Sequence, residues 1–218
     1  MKIAILGGSF NPLHIGHAML AETIVQELHY DKVLFVPTGI PPHKEIHNGA
    51  TTQHRLQMVK VFCESYPKPC FELEPCEIER EGVSYTCDTL EFIVQKYKNQ
   101  IEGKPALLMG QELAAEFYKW KNVERIVELS DIIIVPRYPD CYGAADSVQN
   151  MPKGMYRGDF KSKFDPENFK YPYKMLDIPM VTVSSTEVRA RVGAGKSFRY
   201  LVPQAVFDYI EKEGLYRV

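Results

Sequence analysis

The sequence predicts an α/β fold, a doubly wound Rossmann-like parallel sheet with helices on both faces, and three observations carry that expectation. Short β-branched runs alternate with segments of helical pattern along the chain. The first such run passes directly into Gly7-Gly8 and then toward a helix. The 218 residues, 45% of them hydrophobic, suffice for one good core. A single domain over 1–218 is therefore expected, with one atypical insertion at 138–177.

The elements follow in order. Ile3 to Leu6 reads as a strand ending in Gly7-Gly8, and a helix over His17 to Leu28 follows it. Val33 to Val36 is a second strand, closed by Pro37-Thr38-Gly39, and Thr52 to Ser65 a second helix. A helix over Asp88 to Lys98 is signalled by Asp88 as a cap with Glu91 three residues on. Ala106 to Met109 reads as a strand ending at Gly110, Asn122 to Leu129 as a helix, and Ile132 to Val135 as a strand running into Pro136-Arg137. A last strand is expected over Met180 to Val183. Ser184 or Ser185 then caps a helix whose first turns are Glu187 to Arg191.

Composition removes several classes of function. A formal charge of -2 with pI near 6.3 leaves no global basic footprint, so nucleic acid is disfavoured as the main partner. The five cysteines, Cys63, Cys70, Cys76, Cys87 and Cys141, include no Cys-x-x-Cys pair, which argues against a disulfide framework and a zinc knuckle. A reduced, cytoplasmic setting is expected. No segment approaches the roughly 18 apolar residues of a membrane span.

Ligands in parallel sheets bind beyond the carboxyl ends of strands, and here those ends are Gly7-Gly8, Pro37-Thr38-Gly39, Gly110 and Pro136-Arg137. Gly7-Gly8 allows close backbone approach, and a helix starting near Gly16 points amide groups at the same place, as a phosphate site requires. His14 and His17, three residues apart on the first helical turn, share a face and can both donate to phosphate oxygens. A metal pair is the competing reading; it lacks an obvious third ligand nearby. The Gly-x-Gly-x-x-Gly and Gly-Lys-Ser/Thr signatures of other phosphate loops are absent. Ser184, Ser185 and Arg189, at the start of a later helix, form a second anion site.

The stretch 138–177 breaks the rhythm. Between Lys153 and Lys174 it carries six Lys or Arg against three Asp or Glu, with aromatics interleaved. That composition admits an RNA-binding flap. A lid or oligomer contact with buried aromatics is the favoured reading.

These motifs resemble the nucleotidyltransferases of the His-x-Gly-His type. Gly7-Gly8-Ser9-Phe10-Asn11-Pro12-Leu13-His14-Ile15-Gly16-His17 is similar to their first motif, and Val183-Ser184-Ser185-Thr186-Glu187-Val188-Arg189 to their second. Within that group the resemblance is to the bacterial nicotinate-mononucleotide adenylyltransferases. Pro41-Pro42-His43-Lys44, Ser84 to Leu90, Met109 to Glu112 with Trp120, and the ending from Arg199 to Tyr216 carry it. Two departures stand out: Asn11 where the family usually has Asp, and Gly110-Gln111-Glu112 where it usually has Gly-Ala-Asp.

The resemblance implies adenylyl transfer from ATP, with its Mg²⁺, to nicotinate mononucleotide, giving the deamido dinucleotide and pyrophosphate. It implies catalytic roles for His14, His17 and Arg189. Gly7, Gly8, Ser9, Phe10, Lys44, Gly110, Glu112, Ser184 and Ser185 are implied on the ATP side. Tyr85, Thr86, Trp120 and Arg137 are implied for the pyridine nucleotide, with Trp120 stacked on the ring and Tyr85-Thr86 offering backbone donors to the carboxylate. Arg55 is a weaker phosphate candidate. No protein metal ligand is expected, since Mg²⁺ keeps phosphate oxygens and water. The alternatives are another acceptor, phosphopantetheine, nicotinamide mononucleotide or a cytidylyl acceptor, or an RNA-binding synthetase-like protein. Oligomeric state is left open, a homo-oligomer included.

Overall fold

The computed structural model describes residues 1–40, 49–136, 164–178 and 183–217. Six strands, all parallel, form one sheet: β1 (Ile3–Gly8), β2 (Lys32–Pro37), β3 (Phe71–Leu73), β4 (Ala106–Gly110), β5 (Asp131–Val135) and β6 (Tyr173–Met175), in the order β3-β2-β1-β4-β5-β6. The helices are α1 (Ile15–Gln26), α2 (Thr52–Ser65), α3 (Cys76–Glu79), α4 (Thr86–Lys96), α5 (Gln111–Ala114), α6 (Val123–Leu129), α7 (Ser185–Gly193) and α8 (Gln204–Glu213). A 3₁₀ turn spans Phe117–Lys119.

The period of two along each strand sorts side chains into two cores. Ala4, Leu6, Val33, Phe35, Ala106, Leu108, Ile133 and Val135 face α1, α2, α7 and α8. Ile3, Ile5, Leu34, Val36, Leu107, Met109, Ile132 and Ile134 face α4, α6 and the 3₁₀ turn. Such double burial is why these strands read as unbroken apolar runs. From β1 the chain crosses through α1 to β2 on one face, whereas β4, on the other side of β1, is reached through α4 on the opposite face. The crevice of the fold therefore opens where the loops after β1 and β4 diverge.

Several expectations change. The sixth strand is β6, inside the stretch expected to be an insertion; of the strand expected at Met180 to Val183, residues 179–182 lie outside the described residues, and Val183 is not in a strand. Strand β3 is additional. Asp88 does not cap α4, which begins two residues earlier with Tyr85 at its N-cap; Asp88 pairs instead with Lys121 at 3.4 Å and Glu91 with Arg125 at 3.1 Å. Both carboxylates are thus turned to cations outside their own helix. Ser184 does cap α7, its Oγ accepting from the Glu187 amide at 3.2 Å.

In the described part of the insertion, Phe169 and Tyr171 pack against Phe117 with centroid distances of 5.8 and 5.5 Å, and Phe164 and Tyr173 join them. These aromatics extend the second core, which accords with the buried-aromatic reading of that stretch.

Candidate active site

The loop between β1 and α1 is fixed from several directions. Gly7 is exposed, and a Cβ there would meet no atom within 4 Å, so its backbone lies open to a ligand. Gly8 sits beneath the Phe10 ring, where a Cβ would stand 3.2 Å from it. Phe10 takes a φ of 45°, a left-handed conformation that a bulky residue adopts only under constraint. The constraint is its ring, 1% exposed and packed edge-on to His17 at 5.1 Å and against Phe35 at 5.7 Å. The Asn11–Pro12 peptide is cis.

His14 stands at the N-cap of α1 and stacks on His17, ring centroids 3.8 Å apart. The His14 amide donates to His17 Nδ1 at 3.2 Å, so the proton of a neutral His17 ring resides on Nε2. That makes Nε2 the donor face. Gly16 is needed between them: a Cβ there would lie 3.1 Å from His14 Nδ1 and 3.2 Å from its Cε1. The expected row of helix-start amides is corrected, because the Ile15 amide goes to the Leu201 carbonyl and the His17 amide to the His14 carbonyl, both at 2.9 Å.

Helix α7 is tied to the same loop. Ser185 Oγ donates to the Pro12 carbonyl at 2.8 Å, and Arg189 Nη1 donates to the Asn11 carbonyl at 2.7 Å. Ser185 therefore anchors the loop to the start of α7. Arg189 keeps further donors on its five N–H groups, one of them turned to Thr186 Oγ1 at 3.3 Å. Tyr216 donates to Asn11 Oδ1 at 2.8 Å, its own hydroxyl pushed up in pKa by burial, with Arg189 and Arg55 opposing. Asn11 is 3% exposed, so the neutral amide accepts this hydrogen bond without burying a charge.

Arg55 has a structural task. Its side chain, 2% exposed, donates through Nη1 to the carbonyls of Ser9 at 3.0 Å and Thr38 at 2.8 Å, clamping the loops after β1 and β2 together. The weak reading of Arg55 as a phosphate ligand gives way to this structural role, since its side chain is buried and two of its hydrogen bonds go to main-chain carbonyls. The Thr38 amide reinforces the clamp by donating to the Gly8 carbonyl at 2.9 Å.

On the other face, Tyr85 and Thr86 open α4, and no side chain caps that helix start. Lys121 lies 4.2 Å over the Tyr85 ring, which brings Trp120 and the α4 opening side by side. Trp120 is half-buried, edge-on to Phe117 at 5.2 Å. Gly110 caps the short α5, and the exposed Glu112 folds back until its Oε2 stands 2.6 Å from where a Gly110 Cβ would be. Lys44 and Arg137 lie outside the described residues. Among the described residues, no group of three or more His, Cys, Asp or Glu is placed to hold a metal ion, and no helix is long and apolar enough to cross a membrane.

A parallel sheet with this strand order, a paired-imidazole helix start and an arginine helix facing the same glycine loop define a nucleotidyltransferase architecture. The chain belongs to the cytidylyltransferase-like family, whose model matches residues 5–191. It is 39% identical over 216 residues to "Probable nicotinate-nucleotide adenylyltransferase" of Dictyoglomus thermophilum, covering 99% of this chain and 100% of that protein. It is 34% identical over 217 residues to the protein of the same name in Treponema pallidum, covering 100% of each. Among solved structures it is similar in fold to the Plasmodium falciparum nicotinic acid mononucleotide adenylyltransferase complexed with NaAD, with a TM-score of 0.70 and 21% identity over 99% of this chain and 97% of that one.

Sequence reasoning missed Glu77. It lies in Glu77-Ile78-Glu79-Arg80-Glu81, where no element was expected, and its carboxylate is engaged on both oxygens.

Proposed function

We propose that the chain is a nicotinate-nucleotide adenylyltransferase, joining the phosphate of nicotinate mononucleotide to the α-phosphate of ATP with release of pyrophosphate. Full-length relatedness to proteins of that name supports the reaction. The observation that carries the mechanism is the His14 amide held on His17 Nδ1, which puts the proton of a neutral His17 ring on Nε2.

The attacking group is a phosphate monoester, mostly dianionic near pH 7, so no general base is required. A phosphate oxygen of the acceptor forms the new P–O bond as the bond to the bridging oxygen of pyrophosphate breaks. Catalysis comes from in-line positioning and neutralisation of charge on the phosphoryl oxygens. His17 Nε2, with His14 beside it, donates to the α-phosphate as charge shifts; Arg189 and the α7 start face the departing pyrophosphate. Mg²⁺ would arrive with ATP and would neutralise phosphate charge while keeping phosphate oxygens and water around it. Gly7, Gly8 and Ser9 line the triphosphate, Gly110 and Glu112 the adenosine side. Lys44 and Arg137 are kept as phosphate contacts on sequence grounds alone. Trp120 stacks on the pyridine ring, and the amides that open α4 receive its carboxylate, a group recognised by donors only. A cytoplasmic setting suits this chemistry.

The test is pyrophosphate release from ATP and Mg²⁺ with nicotinate mononucleotide or nicotinamide mononucleotide as acceptor. Turnover with the former and little with the latter is expected. Turnover with neither overturns the acceptor assignment.

A further inference from the structure

We propose that Glu77 positions the acceptor-binding turn at Tyr85–Thr86 against the nucleotide loops, so that its loss weakens acceptor binding while leaving ATP binding in place. The proposal rests on the assignment of that turn to the pyridine nucleotide. Glu77 is half-buried, and although its helix is only four residues long its three oxygens reach the loop after β2, α4 and the residue before Tyr85. Oε2 accepts the Gly39 amide at 3.3 Å, just after β2. Oε1 accepts the Thr89 hydroxyl at 2.8 Å, in the first turn of α4. Its main-chain oxygen accepts the Ser84 hydroxyl at 3.2 Å, one residue before Tyr85.

The packing around these bonds leaves little slack. A Cβ on Gly39 would fall 2.2 Å from the Glu77 carbonyl oxygen and 2.7 Å from Ser84 Oγ, so the loop after β2 can come this close only as glycine. The Ser84 amide donates back to the Ile40 carbonyl at 2.8 Å. Ser84 and Thr89 are 5% and 3% exposed. Burial raises the Glu77 carboxyl above the usual range, opposed by the Thr89 and Gly39 hydrogen bonds and by Arg80. The hydrogen bonds of Glu77 to Gly39, Ser84 and Thr89 end outside the glycine loop itself. Its reach to that loop is indirect, through Gly39 and the Thr38 amide that bonds Gly8.

The chemistry of the three partners makes a sharp distinction between substitutions. Glu77→Gln can keep both side-chain bonds: its Oε1 accepts the Gly39 amide, while its Nε2 donates to Thr89 Oγ1. The Thr89 proton then turns to the Tyr85 carbonyl, 3.3 Å away. Glu77→Ala strands the Gly39 amide and removes the tie to α4. Thr89→Val removes the α4 bond at nearly constant volume, and with it the Thr89 hydroxyl's contacts to the Tyr85 carbonyl at 3.3 Å and to Arg80 Nη1 at 3.4 Å.

Steady-state kinetics on the full chain test this. With Glu77→Ala, KM for nicotinate mononucleotide is expected to rise about tenfold, with KM for ATP within about twofold of wild type. Glu77→Gln is expected to restore the acceptor KM to within about twofold, and Thr89→Val to raise it about threefold. Should Glu77→Ala not fold, the Gln and Val variants carry the same comparison. Wild-type acceptor KM in the Ala and Val variants overturns the positioning role, as does an equal rise in both KM values. Wild-type protein that uses no nicotinate mononucleotide overturns the acceptor assignment instead, so the two failures are distinguishable.

Discussion

Replacing Arg55 by methionine keeps most of the buried stem and removes the guanidinium, which isolates the value of the clamp between the loops after β1 and β2. Two hydrogen bonds from a charged donor are lost, those to the Ser9 carbonyl at 3.0 Å and the Thr38 carbonyl at 2.8 Å. At about 1.5–3 kcal/mol each the gross loss is about 3–6 kcal/mol. Part of this is returned, because the guanidinium no longer has to be desolvated; burial already lowers its pKa from the ordinary value, though it stays cationic. A net destabilisation of about 2–4 kcal/mol remains, which in a chain of this size lowers Tm by about 5–15 °C. Ser9 also moves away from Thr38, so KM for ATP rises alongside. Calorimetric unfolding with ATP kinetics on the folded fraction is the assay. A Tm within about 2 °C of wild type together with an unchanged ATP KM would refute the clamp.

Two further outcomes are expected. His17→Ala should lower kcat about a hundredfold or more while Tm stays within a few degrees, since the ring's donor is spent on charge developing in the reaction; near wild-type turnover removes His17 from the mechanism. Burial pushes the Cys63 and Cys76 thiols up to about 12, so neither should be alkylated by iodoacetamide in the native protein at pH 8, whereas both should react in urea. Because these folded values lie above the 9.0 of a free thiol, their contribution to stability is intact below pH 9 and declines as pH climbs toward 12. Peptide mapping after labelling decides the point.

The strands that were legible in the sequence are those buried on both faces. Ile3 to Leu6, Val33 to Val36, Ala106 to Met109 and Ile132 to Val135 all lie within observed strands, and Thr52–Ser65 coincides with α2. Strand β3 escaped because Phe-Glu-Leu is three residues long with a charge at its centre, and β6 because Tyr-Lys-Met sits at the sheet edge, where Lys174 and Met175 are exposed. The two histidines and the second motif were readable as types at a spacing. Their bonds to Pro12 and Asn11 were not, since a hydroxyl or guanidinium on a helix does not announce which loop it reaches. Arg55 and Glu77 were hidden by the same rule: charged residues in helical segments pattern as solvent-facing, and only tertiary structure shows them turned inward.

Three of the residues that hold the glycine loop in shape come late in the chain: Ser185, Arg189 and Tyr216 grip Pro12 and Asn11 across separations of 173, 178 and 205 positions. Translation delivers the loop first and its fasteners last. A growing polypeptide therefore carries the nucleotide motif through most of its synthesis without the grip that shapes it, and the site matures in one late step.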